Sequence, residues 1–115
     1  MKDESHEALN GYRIMWLYVM FDLPVRGKGQ QKKAARFRAD LLKDGFEMYQ
    51  FSVYIRACRS DEVAETHIRR VRLAVPDGGK VAILKVTDKQ FGRTLNIVGN
   101  QEAPMKRVPE QLEFF

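Results

Sequence analysis

The sequence predicts an α+β domain in which two helices cover one face of an antiparallel sheet. Three observations carry this: an unbroken apolar run over residues 14–21, two later segments with apolar residues spaced by three and four, and strand-like material between and after them. With 115 residues, 44% of them hydrophobic, the chain has material for one domain with a real core and not for two.

The first run, Ile14-Met15-Trp16-Leu17-Tyr18-Val19-Met20-Phe21, suits a strand covered on both faces. Asp22 ends it, and Leu23-Pro24 prevents continuation of the ladder. A buried strand thus delivers one carboxylate to its tip, where an aspartate either forms a turn with nearby amides or binds a metal. Arg26-Gly27-Lys28-Gly29 reads as a flexible basic turn, and residues 30–44 as a helix. Ala34, Phe37 and Leu41 form its apolar stripe, widened by Leu42, and Gly45 caps its end. From Phe46 onward Tyr49, Phe51, Val53 and Ile55 alternate with Gln50, Ser52 and Tyr54. The topology requires a hairpin between Phe46 and Cys58, although no Gly, Asn or Pro marks its turn.

Ser60 caps the second helix, with Asp61 and Glu62 in the first turn where the helix dipole favours negative charge. Ala64, Ile68, Val71 and Val75 mark its buried side. Pro76-Asp77-Gly78-Gly79 is a turn, and residues 80–87 form a strand expected to be buried on both faces. Thr87-Asp88 places a second acid beside a strand tip, and residues 94–98 suggest a short edge strand. The end of the chain, Gln111-Leu112-Glu113-Phe114-Phe115, alternates polar and apolar residues, as a terminal strand does when it has something to pair with. The order is that of the ferredoxin-like fold. Residues 1–11 form a flexible acidic lead-in, 12–99 the ferredoxin-like domain, and 100–115 a C-terminal arm.

The formal net charge is +5, and the first eleven residues carry one lysine and three acids, which leaves +7 on residues 12–115. A domain this basic favours a polyanionic partner. The single cysteine, Cys58, excludes an intrachain disulfide and agrees with a reducing, cytoplasmic compartment. The N-terminus lacks the pattern of a signal peptide, and residues 14–21 are too few to span a bilayer, so no membrane partner is expected.

The densest cationic stretch holds Arg26, Lys28, Lys32, Lys33, Arg36 and Arg38, with no acid between Leu23 and Ala39. A second group, Arg56, Arg59, Arg69, Arg70 and Arg72, supplies guanidinium groups suited to phosphate, although Glu62 and Glu65 are placed to pair with Arg69. Arg26, Lys28, Lys32, Lys33, Arg36, Arg56 and Arg59 are the candidate nucleic-acid contacts; a solvated helix face is the plainer reading of such a run. Catalytic candidates are few. His67 lies near the buried stripe of the second helix, Cys58 sits between Arg56 and Arg59, which would lower its pKa, and no phosphate loop is present. Asp22 is the best single acid. A two-fold dimer that brought two Asp22 carboxylates together would complete a magnesium site and supply a nucleophilic water. An RNA-binding module of similar topology would need the K/R-G-F/Y-G/A-F-V segment, which is missing.

Three segments resemble a known family: Tyr18-Val19-Met20-Phe21-Asp22-Leu23-Pro24-Val25, Gly45-Phe46-Glu47-Met48-Tyr49-Gln50-Phe51-Ser52-Val53-Tyr54 and Leu84-Lys85-Val86-Thr87-Asp88-Lys89-Gln90-Phe91. The chain is similar from Tyr12 to Phe115 to the small CRISPR-associated adaptation proteins, second in that system's nomenclature, of the type accompanying a single large effector nuclease. The resemblance implies a ferredoxin-like homodimer whose C-terminal strands cross to the partner's sheet, with Asp22 of each copy facing the other. It implies a Mg2+-dependent (or Mn2+-dependent) endonuclease acting on RNA or DNA, with Asp22 as catalytic and metal-binding residue. It equally implies a scaffold in spacer acquisition that holds double-stranded prespacer DNA and bridges two dimers of the CRISPR integrase in a heterohexamer-type complex. Leu112, Phe114 and Phe115 become candidates for that partner contact. Members of this family often carry tyrosine before the aspartate, where this chain has Phe21, and the Ser52 region is expected to be structural.

Overall fold

The structure, a computed structural model, describes residues 13–104. Its sheet contains β1 (Met15–Asp22), β2 (Glu47–Gln50), β3 (Val53–Cys58) and β4 (Lys80–Thr87), antiparallel throughout in the order β2-β3-β1-β4. Helices α1 (Lys28–Lys43) and α2 (Asp61–Ala74) fall between strands in the ferredoxin-like order. Alternation along β1 sorts its side chains cleanly. Leu17, Val19 and Phe21 join Phe37 and Leu41 of α1 and Ala64 and Val71 of α2 in one core, while Trp16 belongs to a second cluster with Ile55, Ala57 and Phe91. Phe37, only 1% exposed, contacts Phe21 edge-on with ring centroids 5.2 Å apart, and truncating such a ring to alanine costs about 3–5 kcal/mol.

The required hairpin forms without the usual turn residues. β2 and β3 are joined by Phe51 and Ser52, and Ser52 takes φ 65°, a left-handed conformation that serine adopts at some cost. The carbonyl of Ser52 accepts a hydrogen bond from the Phe21 amide at 3.1 Å, so the turn is tied to the end of β1. This fits the structural reading of the Ser52 region.

α1 ends in a two-bond cap: the amide of Gly45 donates to Leu42 O and that of Phe46 to Leu41 O. Gly45 has φ 89°, and a Cβ there would lie 3.0 Å from Arg56 Nε, so both backbone angle and close approach require glycine. Ser60 Oγ accepts from the Val63 amide at the start of α2, as predicted.

Two expectations fail. β4 is an edge strand, and Ala82 and Leu84 are exposed, so it is not buried on both faces. Uniform apolarity in Val81 to Leu84 cannot reveal that one face lacks a covering layer. Glu65 binds Lys85 Nζ of β4 at 2.7 Å, together with Asp61, whereas Arg69 donates to Thr66 Oγ1. The expected Glu62 and Glu65 pairing with Arg69 gives way to a tertiary ion pair.

The second face of the sheet is half covered. A short helix, α3 (Asp88–Gly92), stacks Phe91 on Trp16 with centroids 3.8 Å apart. Thr87 caps it in a reciprocal box with Gln90, and Asp88 Oδ1 accepts from Trp16 Nε1 at 2.7 Å. Beyond it β5 (Asn96–Val98) and β6 (Gln101–Ala103) form a two-stranded ribbon. β5 lies within the predicted 94–98 segment. The 1–11 lead-in and the 111–115 strand lie outside the described residues.

Candidate nucleic-acid and metal site

Asp22 is the last residue of β1, on the sheet face opposite α1 and α2, directly across the ladder from Lys80. It is exposed, and among the described residues no hydrogen bond or ion pair engages its carboxylate. Phe21 points the other way, into the core against Phe37 and Tyr54. A hydroxyl at position 21 would therefore enter the helix-side core rather than reach Asp22.

The loop after Asp22 leads within six residues to the start of α1, so the cations of its first half gather at this end of the molecule. Lys28, Lys32 and Arg36 repeat at i, i+4 and i+8, which sets them in one row on the side away from buried Ala34, Phe37 and Leu41. Helical geometry thus aligns three cations that are spread over nine residues of sequence. Arg26, Lys28, Lys32, Lys33 and Arg36 are all exposed, and no carboxylate engages any of them among the described residues. Gly27, in extended conformation, caps α1 without a side chain, and no acid occupies the first turn. The field at this end is positive.

The second arginine cluster has a different fate. Arg56 Nε donates to the Asp44 carbonyl at 2.8 Å, and its Nη1 to Ala57 O at 2.8 Å. Nε thus latches β3 to the end of α1 while Nη1 is taken up within β3, so two of the nitrogens expected to meet phosphate are engaged inside the fold. Arg59 is half-buried just before α2. Arg70 Nη1 donates to Asp44 Oδ1 at 2.8 Å, and His67 Nδ1 to Asp44 Oδ2 at 2.6 Å. Because an ionised carboxylate only accepts, Nδ1 carries the proton. Burial holds the His67 pKa below its ordinary 6.5, against the upward pull of Asp44. The sequence showed no partner for His67, since Asp44 is 23 residues away. Cys58 is fully buried, and burial raises its thiol pKa despite neighbouring Arg56, the reverse of the sequence expectation. That thiol is a core residue rather than a nucleophile.

A groove of about 390 Å³ between α1 and α2, lined by Asp40, Leu41, Asp44, Arg70 and Leu73 among others, does not include Asp22. Asp22 instead stands on open surface. Among the described residues no three His, Cys, Asp or Glu side chains are grouped to hold a metal ion. Asp22 alone offers one carboxylate. That fits a magnesium ion only as part of a larger set, in which waters, a substrate phosphate and a second carboxylate fill the remaining positions.

Residues 15–94 match the family model described as CRISPR associated protein Cas2. A protein named CRISPR-associated endoribonuclease Cas2 from Flavobacterium psychrophilum is 44% identical over the whole of both chains. One of the same name from Paracidovorax avenae is 48% identical over 107 residues, 93% of this chain and 99% of its own. A solved structure titled "Crystal structure of cas2" superposes with TM-score 0.54 over 84% of this chain and 99% of that one, and its 23% identity speaks to fold alone. Among the described residues, no helix is long and apolar enough to cross a membrane.

Proposed function

The chain belongs to the CRISPR-associated Cas2 family, and from that premise we propose that it acts in spacer acquisition as a cytoplasmic homodimeric scaffold. On this reading it holds the backbone of double-stranded prespacer DNA and bridges the CRISPR integrase. The observation that carries it is the set of exposed cations without carboxylate partners, Arg26, Lys28, Lys32, Lys33 and Arg36, at one end of α1. Cations not neutralised within the fold are those that release counterions on binding phosphate. Affinity for duplex DNA should then be independent of sequence and fall with salt, by about 0.9 log units per log unit of salt for each phosphate neutralised. Arg36→Ala should lower that slope by about one contact. A salt-insensitive affinity would sink the scaffold. The integrase contact is assigned to Leu112, Phe114 and Phe115. A chain ending before Gln111 should fail to co-purify with the integrase of its locus, and retention of the complex would place the contact elsewhere.

A second reading rests on Asp22 itself. Its carboxylate is exposed, unengaged among the described residues and presented at the end of a strand six residues before the helix that bears the cationic row, and relatives of this chain are named endoribonucleases. A dimer that sets two Asp22 side chains face to face would place both carboxylates as ligands for Mg2+ or Mn2+. Such an ion, when bound, supplies polarisation of a phosphodiester and a more acidic water. The protein's part is to hold the two carboxylates and, through Lys28 and Arg26, the charged backbone of RNA or DNA. Asp22→Ala should abolish metal-dependent cleavage, a loss on the order of 100-fold or more, with nucleic-acid binding retained. Undiminished cleavage by that variant would remove Asp22 from the reaction.

A further inference from the structure

Of the five phenylalanines among the described residues, Phe21, Phe37, Phe46 and Phe91 are 8% exposed or less, while Phe51 is 83% exposed. Its position is fixed rather than loose. Phe51 and Ser52 are the two turn residues between β2 and β3, Ser52 is locked in the left-handed region, and Ser52 O accepts the Phe21 amide. The ring therefore stands on a turn tied to the residue that precedes Asp22.

Arg38 supports it. The guanidinium carbon of Arg38 lies 5.7 Å from the Phe21 centroid and 5.8 Å from that of Phe51, so one cation is shared by a buried ring and an exposed one. No carboxylate engages Arg38 among the described residues, and no acid occurs between Leu23 and Ala39. An apolar ring on a surface this cationic suits a partner that is flat, aromatic and attached to negative charge. A protein surface with that combination is uncommon, whereas every unpaired nucleotide has it. Exposed aromatics with nearby arginine are how single strands are held without regard to sequence.

We propose that Phe51, backed by Arg38, is a stacking position for an unpaired nucleobase, beside the strand tip that carries Asp22. This rests on the nucleic-acid reading of the Lys28, Lys32 and Arg36 row and deepens it. The row holds phosphate of any strand, whereas Phe51 selects strands with an unstacked base: a single strand or the splayed end of a duplex. Stacking does not release counterions, so the Phe51 contribution is the same at low and high salt, unlike that of the row.

The test compares binding of the intact chain to a fluorescent single-stranded oligonucleotide and to a blunt duplex of equal length, at two salt concentrations. Phe51→Ala should weaken single-strand binding by roughly 5- to 150-fold, leaving duplex affinity and melting temperature unchanged. Phe51→Trp should restore binding, and Phe51→Leu, which keeps apolar area and lacks a π face, should not. A 2-aminopurine base in the single strand should be quenched by the intact chain and not by Phe51→Ala. Full binding by Phe51→Leu, equal losses on both polymers, or no loss at all would overturn the stacking role. If Lys32→Ala and Arg36→Ala weaken both polymers while Phe51→Ala weakens neither, the nucleic-acid reading stands and this inference falls. If the intact chain binds neither polymer, both fall.

Discussion

Asp22 and Asp44 each terminate a regular element, yet they stand in opposite states. Asp44, at the end of α1, is enclosed by His67 and Arg70 through its carboxylate and by Arg56 through its carbonyl. Asp22, at the end of β1, is exposed with its carboxylate unengaged among the described residues. Their chemistry is identical; their surroundings decide what each does. Asp44 binds α1, β3 and α2 into one unit, and its charge is neutralised inside the fold. The charge of Asp22 is left exposed at the surface.

The contrast is broken most severely at Asp44. Asp44→Ala leaves buried His67 without an acceptor and removes charge-assisted bonds, and should cost about 2–3 kcal/mol in urea denaturation. A loss below about 0.5 kcal/mol, the level of an ordinary surface change, would mean that the hub is incidental. Acid should weaken the same hub in part. Burial lowers the His67 pKa in the fold, so the unfolded chain binds protons more readily as pH falls. The stability it contributes is therefore complete above about 6.5 and is lost progressively below that value. Melting temperatures of the intact chain should decline across that window, and His67→Gln should flatten the decline; an unchanged slope would show that other groups dominate. The smallest stability effect belongs to Asp22. Asp22→Ala should shift stability by no more than about 0.5 kcal/mol, so any loss of cleavage in that variant reports on chemistry rather than folding.

Much of this contrast was half legible in the sequence. Asp22 stood out because an apolar run stopped on it, a local feature that survives in any fold containing that strand. Asp44 was read only as the last helical residue, because the partners that define it come from β3 and α2. Arg56 looked like a free phosphate contact for the same reason, and Cys58 like an activated thiol. Asp88 looked like a second strand-tip acid until Trp16 claimed it across 72 residues. Phe51 was read as one more alternating strand residue, and nothing nearby showed that its ring would remain outside.

The sequence by itself determined the order of the two long helices and the strands of the main sheet, the caps at Gly45 and Ser60, the buried strand ending at Asp22, and the family. These depend on periodicity, backbone conformation and local motifs, all of which act over a few residues. Tertiary structure alone decided which charges are consumed and which stay available, that β4 lies at an edge with one face open, and that Phe51 stands exposed beside Arg38. The reason is physical: burial and ion pairing depend on distances between residues far apart in the chain, which exist only once the sheet and its helices have packed.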